Sequence, residues 1–164
     1  MRVLVTAASR HGATREIAAA IADGLSRRGV EADVRPTEEL TSLDGYDAFV
    51  VGSAVYIGRW LEPAQRLVDD HEEKLAAAPV WLFSSGPLGP PDALKPEGDP
   101  VDVAGFMEKT AALDHRVFAG RLDRKLLGFG EKAVVVAVRA PEGDFRDWEA
   151  IDAWAGEIAD RLSP

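Results

Sequence analysis

Apolar residues along this chain follow two alternating periods. Short runs rich in valine, isoleucine and phenylalanine give way to stretches of about a dozen residues in which apolar positions recur every three or four, the signature of parallel βαβ units. Residues 1–7 are the first run, and 14–28 are predicted as a helix in which Ile17, Ile21 and Leu25 stack at four-residue spacing before Gly29 stops it. In residues 30–35 the apolar Val30, Ala32 and Val34 alternate with Glu31, Asp33 and Arg35, as in an edge strand with one face in water. Residues 47–52, DAFVVG, are apolar almost throughout and belong at the centre of a sheet covered by helices on both faces. Pro63 opens a helix whose inner face runs on through Leu67, Val68, His71 and Leu75, and PVWLFSS supplies the fourth strand.

The second half is less regular. Residues 86–100, GPLGPPDALKPEGDP, hold too much proline for a helix or a central strand and are expected as one long loop, either functional or a tolerated surface excursion. Residues 101–113 are expected as a short helix and HRVFAG as the fifth strand. Within 126–139, Val134 to Val136 favour a strand, whereas a position between the fifth strand and the last helix favours a helix, which is the assignment adopted. Asp147 is a candidate cap for a final helix with Trp148, Ile151, Ala155, Ile158 and Leu162 along one stripe. No repeat or linker divides residues 1–164, so a single α/β domain is expected.

Parallel sheets bind ligands at the carboxyl ends of their strands, near the point where strand order reverses. The loops that matter are then 8–13, 53–60 and 84–100. In the first, Ser9 and Thr14 offer hydroxyls, Gly12 permits a tight turn, and the following helix presents free N–H groups and its positive end. Such a loop forms an anion pocket; alternatively, Ser9 simply caps the helix. One glycine is too few for a dinucleotide fingerprint, no Walker sequence is present, and Ala7, Ala8 and Ser53 stand where a phosphoacceptor domain needs acids. A single phosphate held by hydroxyls and amides survives these exclusions.

Composition narrows the partners. A net charge of −9 argues against a nucleic-acid surface, and the absence of cysteine removes disulfides and thiolate chemistry. No apolar run is long enough for an integral membrane segment and no export signal opens the chain, so a cytoplasmic location is expected. His71 and His115 have no second ligand at metal spacing, so no metal site is expected. Trp81, Trp148 and Trp154 read as packing residues, and Glu72 and Glu73 as a solvated helix face.

The segment SRHGATREIA resembles the phosphate loop of flavodoxin-like FMN proteins. VGSAVYIGRW and DWEAIDAWAGEIADRL resemble the menaquinone-dependent protoporphyrinogen oxidase branch of that family, and the likeness spans nearly the whole chain. It implies a flavodoxin-like three-layer sandwich with a five-stranded parallel sheet in order 2-1-3-4-5 and non-covalent FMN. By motif position the phosphate falls to Ser9, Arg10, His11, Gly12, Ala13 and Thr14. The ring falls to Ala54, Val55, Tyr56, Ile57, Gly58 and Arg59, with Ser84, Ser85 and Gly86. Tyr56 is the favoured wall of the ring site, while Trp60 either joins it or packs the next helix.

A flavin supplies the redox step itself, so the lack of a catalytic triad is no objection. The resemblance implies an FMN-dependent oxidoreductase that takes electrons from a small-molecule redox substrate, a porphyrinogen by analogy, and passes them to a quinone-like acceptor. Two rivals stand beside it: a flavodoxin-type carrier serving a redox partner protein, for which an acidic rim suits basic partners, and a flavin-free interaction module.

Overall fold

In the computed structural model, which describes residues 1–56, 58–86, 102–122 and 143–164, the chain from Val3 to Ala8 is buried without a break. A strand apolar on both faces has to sit inside the sheet with helices above and below. In chain order the elements are β1 (Arg2–Ala8), α1 (Ala13–Arg27), β2 (Glu31–Pro36), β3 (Ala48–Tyr56), β4 (Arg59–Trp60), α2 (Glu62–Asp70), α3 (Glu72–Ala76) and β5 (Val80–Gly86). They continue as α4 (Ala104–Thr110), β6 (Asp114–Ala119), β7 (Arg121–Leu122), β8 (Gly143–Asp144) and α5 (Trp148–Leu162).

The parallel strands run in order β2-β1-β3-β5-β6, with Val5 facing Val34 on one side and Val50 on the other. Counted without the two-residue β4, this is the expected 2-1-3-4-5 order of a flavodoxin-like α/β sandwich. Because side chains alternate across a strand, the sheet carries two cores. Val3, Val5, Val50 and Phe83 pack under Ile17, Ile21 and Leu25 of α1 and Ile151, Trp154 and Ile158 of α5. Leu4, Phe49, Val51 and Leu82 pack on the other face against Ala64, Leu67 and Val68 of α2, with Leu75 and Phe106 beside them.

The structure departs from expectation in four places. The helix opened by Pro63 breaks at His71, whose φ of −122° and ψ of 24° leave the helical region. Asp69, Asp70, Glu72 and Glu73 would set like charges three and four residues apart on a continuous helix, which is unfavourable. The expected helix over 101–113 is confined to α4, because Asp102 N–H is bonded to Gly58 C=O at 3.0 Å and Leu113 N–H to Val80 C=O at 2.8 Å. Strand β3 runs on into a segment expected as a loop, with Ser53 and Ala54 paired with Ser84 and Ser85, and β5 extends to Gly86, expected as the start of the long loop. Trp148, assigned to the packed stripe of the last helix, is 44% exposed. The expectations for residues 87–100, 126–139 and Ile57 lie outside the described residues.

Asp147 caps α5 as expected, its Oδ1 accepting Ala150 N–H at 3.0 Å. Helices α1 and α5 are tied by Asp152, which accepts from Arg27 at 2.6 Å and from Arg28 at 2.9 and 3.0 Å. The two guanidinium groups hold its carboxyl far below the usual aspartate range. That contribution to stability is full above the unfolded value near 3.9 and is lost as pH falls below it. In urea denaturation, Asp152→Asn is therefore expected to be less stable than the parent near neutrality, and the gap should close as pH drops below about 4. Added salt should narrow it as well, since the pair is solvated.

Gly52 faces Phe83 across the β3–β5 pair, and a Cβ there would stand 2.2 Å from the ring Cζ. Phe83 is fully buried between Phe118 and Trp154 and has nowhere to move. Gly52→Ala is expected to cost about 1–3 kcal/mol by overpacking, measured from the same urea transitions.

Candidate functional site

The chain leaves the sheet at the carboxyl end of β1 and turns into α1 within four residues, Ser9 to Gly12. The turn is closed by Ser9 Oγ, which accepts Gly12 N–H at 3.0 Å. Gly12 then takes φ +86°, a left-handed conformation that favours glycine, and itself stands at the N-cap position. Ser9 therefore shapes the loop and does not cap the helix. Among the described residues no side chain caps α1, whose first-turn N–H groups point into the loop. Thr14, the second residue of the helix, is 3% exposed. Hydroxyls, uncapped amides and a helix N-terminus at one strand end make a cradle for an anionic oxygen cluster such as a phosphate.

The second predicted segment lies beside the first. Tyr56 ends β3 and pairs with Arg59 in an antiparallel hairpin, with Val55 opposite Trp60. The Arg10 guanidinium lies over the Tyr56 ring, 4.6 Å from its centroid, so the β1–α1 loop and the end of β3 meet directly. Ala54 and Val55 belong to the strand, Arg59 is exposed, and the Gly58 carbonyl is engaged by Asp102. Trp60 is a packing residue, buried and stacked on Phe106 at 5.0 Å.

The third segment, Ser84, Ser85 and Gly86, is the buried end of β5. Ser84 Oγ accepts the Trp60 indole N–H at 2.8 Å and lies 2.8 Å from His115 Nε2. The Ser84 hydroxyl thus links the Trp60 indole to the His115 imidazole. Ser53 works similarly, accepting Leu61 N–H at 2.9 Å and donating to Ala54 C=O at 2.8 Å. These buried hydroxyls fasten the Tyr56–Trp60 hairpin to the strands below it.

Two residues at the site carry no local signal in the sequence. Arg121 donates to His11 C=O at 3.3 Å and lies 3.6 Å from Glu16. Arg146 bonds Glu16, Asp144 at 2.6 and 2.9 Å, and Ala13 C=O at 3.4 Å, with its guanidinium 4.6 Å from the exposed Trp148 ring centroid. The Arg146 guanidinium holds the Asp144 carboxyl below its ordinary range. Separations of 110 and 130 residues from their partners put these contacts beyond any spacing rule.

A family model for the flavodoxin domain matches residues 4–148. The chain belongs to this family. Among curated relatives it is similar to the protoporphyrinogen IX dehydrogenase [quinone] of Escherichia coli K12, 24% identical over 172 aligned positions that cover 97% of this chain and 95% of the relative. Among solved structures it resembles a flavodoxin from the domain Archaea, with TM-score 0.64, 19% identity and 98% of each chain covered. It also resembles oxidised flavodoxin 1 from Bacillus cereus, with TM-score 0.63, 16% identity, and 99% of this chain and all of that one covered. These structural likenesses support the fold. No helix among the described residues is long and apolar enough to cross a membrane.

Ser84→Ala removes the shared partner of the Trp60 indole and His115 in a buried place, so a loss of about 1–3 kcal/mol is expected in guanidinium chloride unfolding.

Proposed function

We propose that this chain binds FMN non-covalently and works as an oxidoreductase, taking electrons from a small reduced substrate of porphyrinogen type and handing them to a quinone-like acceptor. The observation that carries the proposal is the uncapped amino end of α1, with the Ser9 and Thr14 hydroxyls around it and Tyr56 at the neighbouring strand end. The residues present fit the group: a phosphate matches the amides and hydroxyls of residues 9–14, and a flat ring matches an aromatic wall beside the buried end of β5. FMN, when bound, supplies the redox chemistry. The protein's part is to bind, orient and set the electrostatics. The α1 terminus attracts the phosphate, the Tyr56 ring excludes water, and Arg10 and Arg59 place positive charge that favours the arrival of electrons in a chain of net charge −9.

The likeness to the E. coli dehydrogenase over almost all of both chains supports the enzyme reading. The acidic charge supports a second one, an electron carrier that docks on basic partner proteins.

Fluorescence titration tests the shared premise. The parent protein is expected to bind FMN, and Thr14→Ala to bind about tenfold more weakly through loss of one hydrogen bond to a charged group. No FMN binding by the parent overturns both readings. Turnover of protoporphyrinogen with a menaquinone analogue supports the enzyme, whereas reduction by a protein reductase without such turnover supports the carrier.

A further inference from the structure

Behind the anion loop stands a cluster of four charges, Arg121, Arg146, Glu16 and Asp144. Arg146 is the best shielded of them, with its side chain 5% exposed against 30% for Arg121, 54% for Glu16 and 44% for Asp144. Its guanidinium is shared between both carboxylates and a loop carbonyl, a forked arrangement that specifies geometry as well as charge. Two cations meet two anions, so the cluster contributes little net field at the loop mouth.

Its geometric effect is larger. Arg121 holds the carbonyl of His11 and Arg146 that of Ala13. In a trans peptide the carbonyl and the following N–H point in opposite directions. Anchoring those two carbonyls on the arginine side therefore turns the N–H groups of Gly12 and Thr14 away from it. The Gly12 N–H is found on Ser9 Oγ, and Thr14 N–H is one of the uncapped donors of the first turn. The arginines are in turn fixed by the β7–β8 ribbon, where Arg121 pairs with Asp144 and Phe145 N–H bonds Gly120 C=O at 3.0 Å.

We infer that Arg146 and Arg121 are positioning residues of the anion loop: through Glu16 and the carbonyls of His11 and Ala13, the β7–β8 ribbon sets the direction of the backbone donors that receive a phosphate. This inference rests on the proposed function for its ligand but not for its mechanics. The double variant Glu16→Gln/Arg146→Gln removes one charge of each sign, so the net charge beside the loop is unchanged. It is expected to lose about tenfold in affinity for FMN and to keep its affinity for riboflavin, which has the ring and no phosphate. Amide hydrogen exchange at Gly12, whose N–H is held by Ser9 Oγ, is expected to quicken in the same variant with no flavin present. Arg121→Gln, at a more exposed position, is expected to show the same split in a milder form and serves if the double variant does not fold.

Equal losses for FMN and riboflavin would mean general loosening and would overturn the inference. Weaker FMN binding with unchanged exchange would put the arginines on the phosphate itself and overturn it as well. If the parent binds neither flavin, the proposed function falls, while the exchange rates still decide whether the ribbon orders the loop.

Discussion

A parallel strand can be reached only by a crossover, and in this chain the crossovers after β1 and β3 contain α-helices. Helices that follow strands β1 and β3 therefore begin at one edge of the sheet, the edge where the strands end. Backbone donors at helix starts collect there, together with whatever side chains the strand ends carry. The turn at Ser9 to Thr14, with its uncapped helix start, and the Tyr56 hairpin are two consequences of that one constraint. They adjoin because β1 and β3 are neighbours in the sheet.

Holding the edge in shape falls to polar groups inside an otherwise apolar body. Ser53 and Ser84 are fully buried, and each uses its hydroxyl to fasten a segment of the β3–β4 hairpin or the residue after it. A hydroxyl in such a place is costly unless bonded, so each bond also specifies where the partner must lie. The same logic operates at the β7–β8 ribbon, where Glu16 and Asp144 neutralise two arginines that bond the carbonyls of His11 and Ala13. The site is thus made of backbone donors, one exposed-edged aromatic and a scaffold of satisfied polar contacts.

Much of this was legible along the chain, for local reasons. The alternation of apolar runs with helical periods determines an α/β sheet, because each element must bury a face of its own period. SRHGAT after an apolar strand announces a turn and an exposed helix start, since Gly12 and the hydroxyls act within a few residues of one another. The capping of α5 by Asp147 is equally local. Most of what tertiary structure alone decided depends on remote partners. Ser84 turned out to join Trp60 to His115 across 24 and 31 residues. Trp148 lies under Arg146 at the surface and not in the core stripe, and α4 is shortened by bonds from its flanks to Gly58 and Val80. Arg121 and Arg146 reach the loop only because the fold returns the end of the chain to its beginning, and the free energy of that meeting appears in no local pattern.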